Sequence, residues 1–210
     1  MPMNSKLTAL LISDAKSGYP IEVIRAIEYS GYRAKFCTSY SLYNPPSADI
    51  LIIDRCRSIV PQHIYNQYVL SFNCHPSLLP LHRGAHPILW AALFDDPVGV
   101  TLHTLTKTVD VGLHLFQKRI LFSSDYTFEQ VHAITRVVTL EAIKCILDQF
   151  RFSKLAPTEC HSVNNWHHKN SYSNVVLSKL PLGWATQISA ARVLLATDIE
   201  SYRSQIAAST

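Results

Sequence analysis

Apolar and polar positions divide the chain into short blocks. Lys6–Ile12 (KLTALLI) is a brief apolar run of the length of one buried strand. Pro20–Ser30 then carries Ile21, Ile24 and Ile27 at helical spacing and stops at Gly31, which predicts a helix. Arg33–Thr38, Asp49–Asp54 (DILIID) and Val69–Asn73 predict three more strands, and Asn44-Pro45-Pro46 supplies the turn before the second of these. Strands alternating with helices predict an α/β fold built on an open, mostly parallel sheet with crossover helices on both faces. Farther on, Gly99–Thr104 and Leu113–Phe122 alternate like strands, with Lys107–Gly112 as the loop between them. Thr127 and Gln130 form a capping box, and Val131, Ile134, Val138, Ala142 and Cys145 continue one helical face to about Phe150. Beyond Arg151 the periodicity fades. Ser153–Val176, rich in Ser, Asn and His, is predicted as an extended tail, followed by a short helix near Gln187–Ala196. These patterns predict one domain over residues 1–150 and an extension over 151–210 packed on it.

Composition narrows the functional classes. The chain has 210 residues, 48% of them hydrophobic, enough to bury a substantial core. Its formal charge of +4 comes without a run of Lys and Arg interleaved with aromatics, so nucleic acid is not an expected partner. No apolar stretch reaches the roughly 18 to 20 residues that span a bilayer, and the amino-terminal segment turns polar too soon for a signal peptide. Five scattered cysteines fit reduced core thiols, and the expected location is the cytoplasm. Six glycines give neither a G-x-G-x-x-G nor a P-loop spacing, which argues against a nicotinamide or ATP enzyme.

The chemistry concentrates in FNCHPSLLPLHRGAHPILWAAL, residues 72–93. Asn73 and His75 stand at alternate positions of an ending strand and project from one face, while Cys74 points to the other. Asp110, in the loop after Thr104, can reach the same carboxyl edge of the sheet, where open α/β folds bind ligands. An amide donor, an imidazole and a carboxylate are the equipment of acyl transfer without a covalent nucleophile. Each residue alone is commoner as a turn former or a hydrogen-bonded structural group. A metal site is a second reading, with His75, His82 and His86, or Cys160, His161, His167 and His168, as ligands, although neither spacing matches a zinc pattern.

NCHPSLLPLHRGAHP, followed by GVTLHTLTKTVDVG, resembles the signature of the 10-formyltetrahydrofolate-dependent formyltransferases. Asn73, His75, Ser77, Leu78, Leu79, Pro80, Gly84, Gly99, Thr101, His103, Asp110 and Gly112 fall on it, and the likeness covers roughly Ile50–Phe122. Asp110–His114 (DVGLH) departs from the commoner Asp-Thr-Gly-Asp-Ile. The resemblance implies a Rossmann-like formyltransferase sheet with a short carboxyl-terminal extension, and 10-formyltetrahydrofolate as cofactor. It implies that an acceptor amine attacks the formyl carbon, that Asn73 and His75 hold the oxyanion, and that Asp110 orients His75 and assists proton movement. It places the pterin against backbone of Arg57, Ser58, Ile59 and Val60 and of the Lys107–Asp110 loop, with Val109 and Asp110 as contacts. Ser77, Pro80, Arg83 and Gly84 then border the acceptor, in a bend stiffened by proline and relieved by Gly84.

Among family members, methionyl-tRNA formyltransferases carry a further carboxyl-terminal barrel, for which the segment after Phe122 leaves little room. Glycinamide ribonucleotide formyltransferases grip the acceptor phosphate with a Gly-Ser-rich first loop, where this chain has ISDAKSGYP. The chain looks most like the small sugar N-formyltransferases, so the expected partner is a small-molecule amine on a nucleotide-linked amino-dideoxy sugar. Formylation of a hydroxyornithine-type amine, and a metal-binding hydrolase or non-catalytic binding module, are the alternatives. A homodimer is compatible with the sequence.

Overall fold

A computed structural model describes residues 6–16, 18–159, 167–168 and 170–207. Strands β1 (Thr8–Ile12), β2 (Arg33–Cys37), β3 (Ile50–Asp54), β4 (Leu70–His75), β6 (Val98–Thr104) and β7 (His114–Ile120) form a six-stranded, mostly parallel sheet in the order β2-β1-β3-β4-β6-β7. β1 pairs in parallel with β2 and β3, and β3 with β4, in a register that sets Leu10 beside Lys35 and Leu51, and Ile53 beside Asn73. The interior strands explain the apolar runs: every residue of β3 is buried, so no polar alternation survives in its sequence. β2, at the edge, leaves Arg33 and Phe36 exposed. A second, two-stranded parallel sheet pairs β5 (Arg83–Gly84) with β8 (His167–His168).

The helices are α1 (Tyr19–Tyr29), α2 (Gln62–Tyr65), α3 (Pro87–Phe94), α4 (Phe128–Arg151), α5 (Asn170–Ser178), α6 (Ile188–Leu194) and α7 (Ala196–Ala207). α1 forms where the spacing predicts it. It buries Tyr19, Val23, Ala26 and Ile27 and leaves Ile21 exposed, because the stripe facing its neighbours starts at Tyr19, whose large ring outweighs the exposed isoleucine. α4 starts at the predicted box: Thr127 N–H donates to Gln130 Oε1 at 2.8 Å, and Gln130 N–H donates to Thr127 Oγ1 at 3.2 Å. The predicted extended tail contains α5, and α7 lies beyond the one predicted helix. Cys160 and His161, and the side chains of His167 and His168, lie outside the described residues.

The chain clusters into two compact units. The first comprises Met1–His75, Leu102–Phe116 and Thr139–Glu159. Its core packs Leu10, Ile12, Leu51, Ile53, Val60, Ile64 and Tyr65 together. Arg151 donates to Ser30 O, lies 4.9 Å over the Tyr32 ring, and sets its guanidinium tip against Gly31, whose φ of +80° favours glycine. The second unit comprises Pro76–Thr101, Gln117–Val138 and Cys160–Thr210. Its centre is α3, in which every residue is buried. Trp90 Nε1 donates to Ser173 Oγ at 2.9 Å. At the end of α3, Arg192 Nε donates to Ala92 O at 2.7 Å and Arg203 Nη2 to Phe94 O at 2.6 Å. Two guanidinium groups thus satisfy carbonyls that a helix end leaves without intrahelical partners, with charge of the sign its dipole favours. Among the described residues no helix is long and apolar enough to cross a membrane.

Candidate active site

β4 runs two residues beyond its predicted end, so His75 belongs to the strand itself. Strand alternation then sends Asn73 and His75 to one side and Phe72 and Cys74 to the other. Cys74 is fully buried, and burial together with the Asp54 carboxylate pushes its thiol well above the usual range, so it carries no thiolate.

Asp110 reaches the β4 residues from loop 105–113. That loop is fixed at both ends: Leu105 N–H donates to Ser71 O at 3.2 Å, while Thr104 N–H donates to Leu113 O and Leu113 N–H to Thr104 Oγ1, each at 2.9 Å. Gly112 allows the return, since a Cβ there would lie 1.7 Å from Thr104 O. Asp110 itself has φ +57°, a left-handed conformation that Asp tolerates better than most residues.

Around the buried Asp110 carboxylate stand three side chains. Oδ2 is 3.6 Å from His75 Nδ1, and Oδ1 is 3.4 Å from His103 Nε2. Asn73 Nδ2 donates to Oδ1 at 3.4 Å and lies 3.2 Å from His103 Nε2. His103 Nδ1 is 2.9 Å from Thr104 O. His75, His103 and Asp110 are each buried, whereas Asn73 is partly open. The structure therefore brings Asn73, His75 and Asp110 together, and adds His103. Sequence reasoning set His103 on the signature without a role. The available signal was the two-residue alternation of GVTLHT, which points Thr101 and His103 to one face.

Of the residues expected to line the pterin, Arg57, Ser58 and Ile59 are exposed, Val109 is half-buried, and the Val60 side chain joins the core. Asp14 holds this loop in place. Its Oδ2 accepts from Arg57 N–H at 2.7 Å and its Oδ1 from Ser39 N–H at 3.0 Å. Burial pulls the Asp14 carboxyl upward, but the backbone donors of Arg57 and Ser39 and the Arg57 charge outweigh it and hold the group below its ordinary 3.8. A depressed carboxyl stabilises the fold fully above its unfolded value and loses that contribution as pH falls through the folded one. Asp14→Asn is accordingly expected to be less stable by about 1 kcal/mol at neutral pH. The gap to wild type in urea melts should close below pH 3.8.

Ser77, Pro80, Arg83 and Gly84 belong to the second unit. Ser77 braces this segment. It is fully buried, its Oγ donates to Leu81 O at 2.7 Å, and its carbonyl accepts from Thr101 Oγ1 at 2.7 Å. Thr101 Oγ1 in turn accepts from Leu79 N–H and Gln117 Nε2, so the hydroxyls stiffen the bend from within. Pro80 follows a cis peptide, Arg83 is buried, and Gly84 has φ +87°, the relief expected of it. Among the described residues, no three His, Cys, Asp or Glu side chains are grouped to hold a metal ion. His82 instead lies 3.1 Å from Asp96, and His86 packs on the Trp184 ring.

The sequence pattern of the family described as formyl transferase matches residues 10–146. A methionyl-tRNA formyltransferase from Parabacteroides distasonis is 34% identical over 167 residues, which are 68% of this chain and 51% of that protein. Another from Desulfotalea psychrophila is 34% identical over 116 residues, 52% of this chain and 35% of its own length. The chain thus spans about half or less of the length of these curated relatives. The solved structure of the formyltransferase PseJ from Anoxybacillus kamchatkensis, in complex with UDP-4,6-dideoxy-4-formamido-L-AltNAc and tetrahydrofolate, superposes with a TM-score of 0.66 at 23% identity, covering 87% of this chain and 96% of that one. A sugar N-formyltransferase from Shewanella sp. FDAARGOS_354 gives 0.67 at 19% identity, with 90% and 87% covered. At such identities the structural likeness speaks for the fold, whereas the sequence match spans most of the chain and includes Asn73, His75 and Asp110: the chain belongs to the formyl transferase family.

Proposed function

We propose that this chain transfers the formyl group of 10-formyltetrahydrofolate to a primary amine, and that the amine sits on a nucleotide-linked amino-dideoxy sugar. One observation carries the reading: Asn73, His75 and His103 surround a single buried carboxylate, Asp110, at the carboxyl end of β4. The folate supplies an activated formyl group when bound. Arg57, Ser58, Ile59 and Val60, pinned through Asp14, with Val109 and Asp110, would hold its ring. Exposed Ile59 and the fixed backbone beside it suit a flat heteroaromatic surface. Asn73 and His75 would supply donors to an oxygen that gains negative charge, and Asp110 would keep His75 oriented, accept the proton that the attacking amine releases and return it to the folate nitrogen as that nitrogen leaves. The sugar acceptor is supported by the neighbours of matching chain length, PseJ above all, which holds a formamido nucleotide sugar. Methionyl-tRNA is the second reading, favoured by the sequence relatives.

The test begins with a stable, non-transferring 10-formylfolate analogue and calorimetry. Micromolar binding is expected, and absence of binding at millimolar analogue overturns the reading. With authentic cofactor, nucleotide-linked amino sugars should then gain the mass of one formyl group. Formylation of methionyl-tRNA instead would overturn the sugar assignment alone.

A further inference from the structure

Asp110, Asp95, His82 and His86 have positive φ and are of residue types that tolerate the left-handed region, but Arg55 shares that region and is not. Its φ is +53°, at the first position after β3. Arginine gains nothing intrinsic from such a conformation, so its surroundings must hold the backbone there.

Two neighbours do so. The Arg55 guanidinium lies 4.5 Å over the ring of Tyr19, the first residue of α1. Tyr19 is buried, which makes its ring a fixed seat for the side chain of an exposed residue. Burial first, and then the charge of buried Asp54, push the Tyr19 phenol upward, while the Arg55 charge opposes them. Ring, carboxylate and guanidinium thus form one electrostatic unit. Asp14 is the second neighbour. Its N–H donates to Arg55 O at 3.3 Å, and its Oδ2 accepts from Arg57 N–H at 2.7 Å, so it grips the chain on both sides of Cys56. The left-handed step turns the chain out of β3 and back to the loop after β1, where Asp14 receives it. The backbone of Arg57, Ser58, Ile59 and Val60, the surface expected to meet the folate ring, starts from this turn.

We propose that Arg55 is a positioning residue for the cofactor: seated on Tyr19, it holds the left-handed turn that presents the backbone of residues 57–60 to the folate ring. The proposal rests on the formyl-transfer reading. It gives Arg55 no contact with the folate, so the backbone that Arg55 holds matters and the charge it carries does not.

Two substitutions in the intact protein separate backbone from charge. Alanine carries the same left-handed cost as arginine but has no guanidinium to seat on Tyr19, whereas glycine adopts the turn freely. Arg55→Ala is expected to bind the 10-formylfolate analogue about tenfold more weakly in calorimetry, the effect of a lost cation–ring contact and an unsupported left-handed residue. Arg55→Gly should recover to within about threefold of wild type. In both, kcat at saturating 10-formyltetrahydrofolate should stay at the wild-type value while KM for the folate follows the binding, because Asn73, His75 and Asp110 are untouched. Equal weakening in the two variants would show that the guanidinium itself meets the cofactor, and wild-type binding in Arg55→Ala would show that the turn needs no support; either result overturns the proposal. Failure of the wild-type protein to bind the analogue overturns the formyl-transfer reading instead. Amide hydrogen exchange of residues 57–60 then decides the turn by itself. Faster exchange in Arg55→Ala, with protection restored in Arg55→Gly, upholds it, and unchanged exchange in Arg55→Ala overturns it.

Discussion

Asp110→Asn is expected to lower formyl transfer by at least about 100-fold, the usual contribution of a general acid–base group, with little loss of stability. The substitution suits a clean test because Asn, like Asp, tolerates the left-handed backbone found there, φ +57°. It preserves shape beside His75 and His103 but removes the carboxylate charge that faces both rings. Single-turnover transfer and thermal melting, run together, separate these effects. A variant keeping more than about a tenth of wild-type turnover would remove Asp110 from the mechanism. Retained binding of the 10-formylfolate analogue would place the loss in chemistry rather than in capture of the cofactor.

Gly112→Ala should cost more in structure. Its new methyl carbon would fall 1.7 Å from Thr104 O, and that backbone atom cannot yield as a flexible side-chain tip could. Loop 105–113 would have to lift from β6, breaking the paired bonds of Thr104 with Leu113 and carrying Asp110 out of reach of its histidines. A destabilisation of about 3 kcal/mol is expected from such overpacking, read as a lower urea midpoint, with transfer lost even where the protein stays folded. Wild-type stability and activity in Gly112→Ala would show that the loop is free to settle elsewhere.

The sheet was legible because its interior strands are buried on both faces and so appear as continuous apolar runs, DILIID most plainly. α4 was legible from a local device, the Thr127–Gln130 box. The face of α1 was not. Ile21, Ile24 and Ile27 have the right period, but so do Tyr19, Val23, Ala26 and Ile27, and only the packing partner chooses between the two stripes. Helices α5 and α7 escaped notice because few of their positions are apolar; Ser173 and Arg203 hold them through polar bonds to residues far away in sequence. The grouping of Asn73, His75 and Asp110 was visible as spacing. His103 joins it through the adjacency of β4 and β6, a non-local fact, and the local bend that the Ser77 hydroxyl closes is likewise set by partners outside its own motif, Thr101 among them.

The closure of α3 by two arginines bears on how the chain is made. The carbonyls of Ala92 and Phe94 meet Arg192 and Arg203, 100 and 109 residues later. At about 5 to 20 residues per second, a ribosome needs roughly 5 to 20 s to deliver those caps after the helix has emerged. For that interval a wholly apolar helix lacks both its cover and the charges that close its end, so the nascent second unit is a natural client for a holding chaperone.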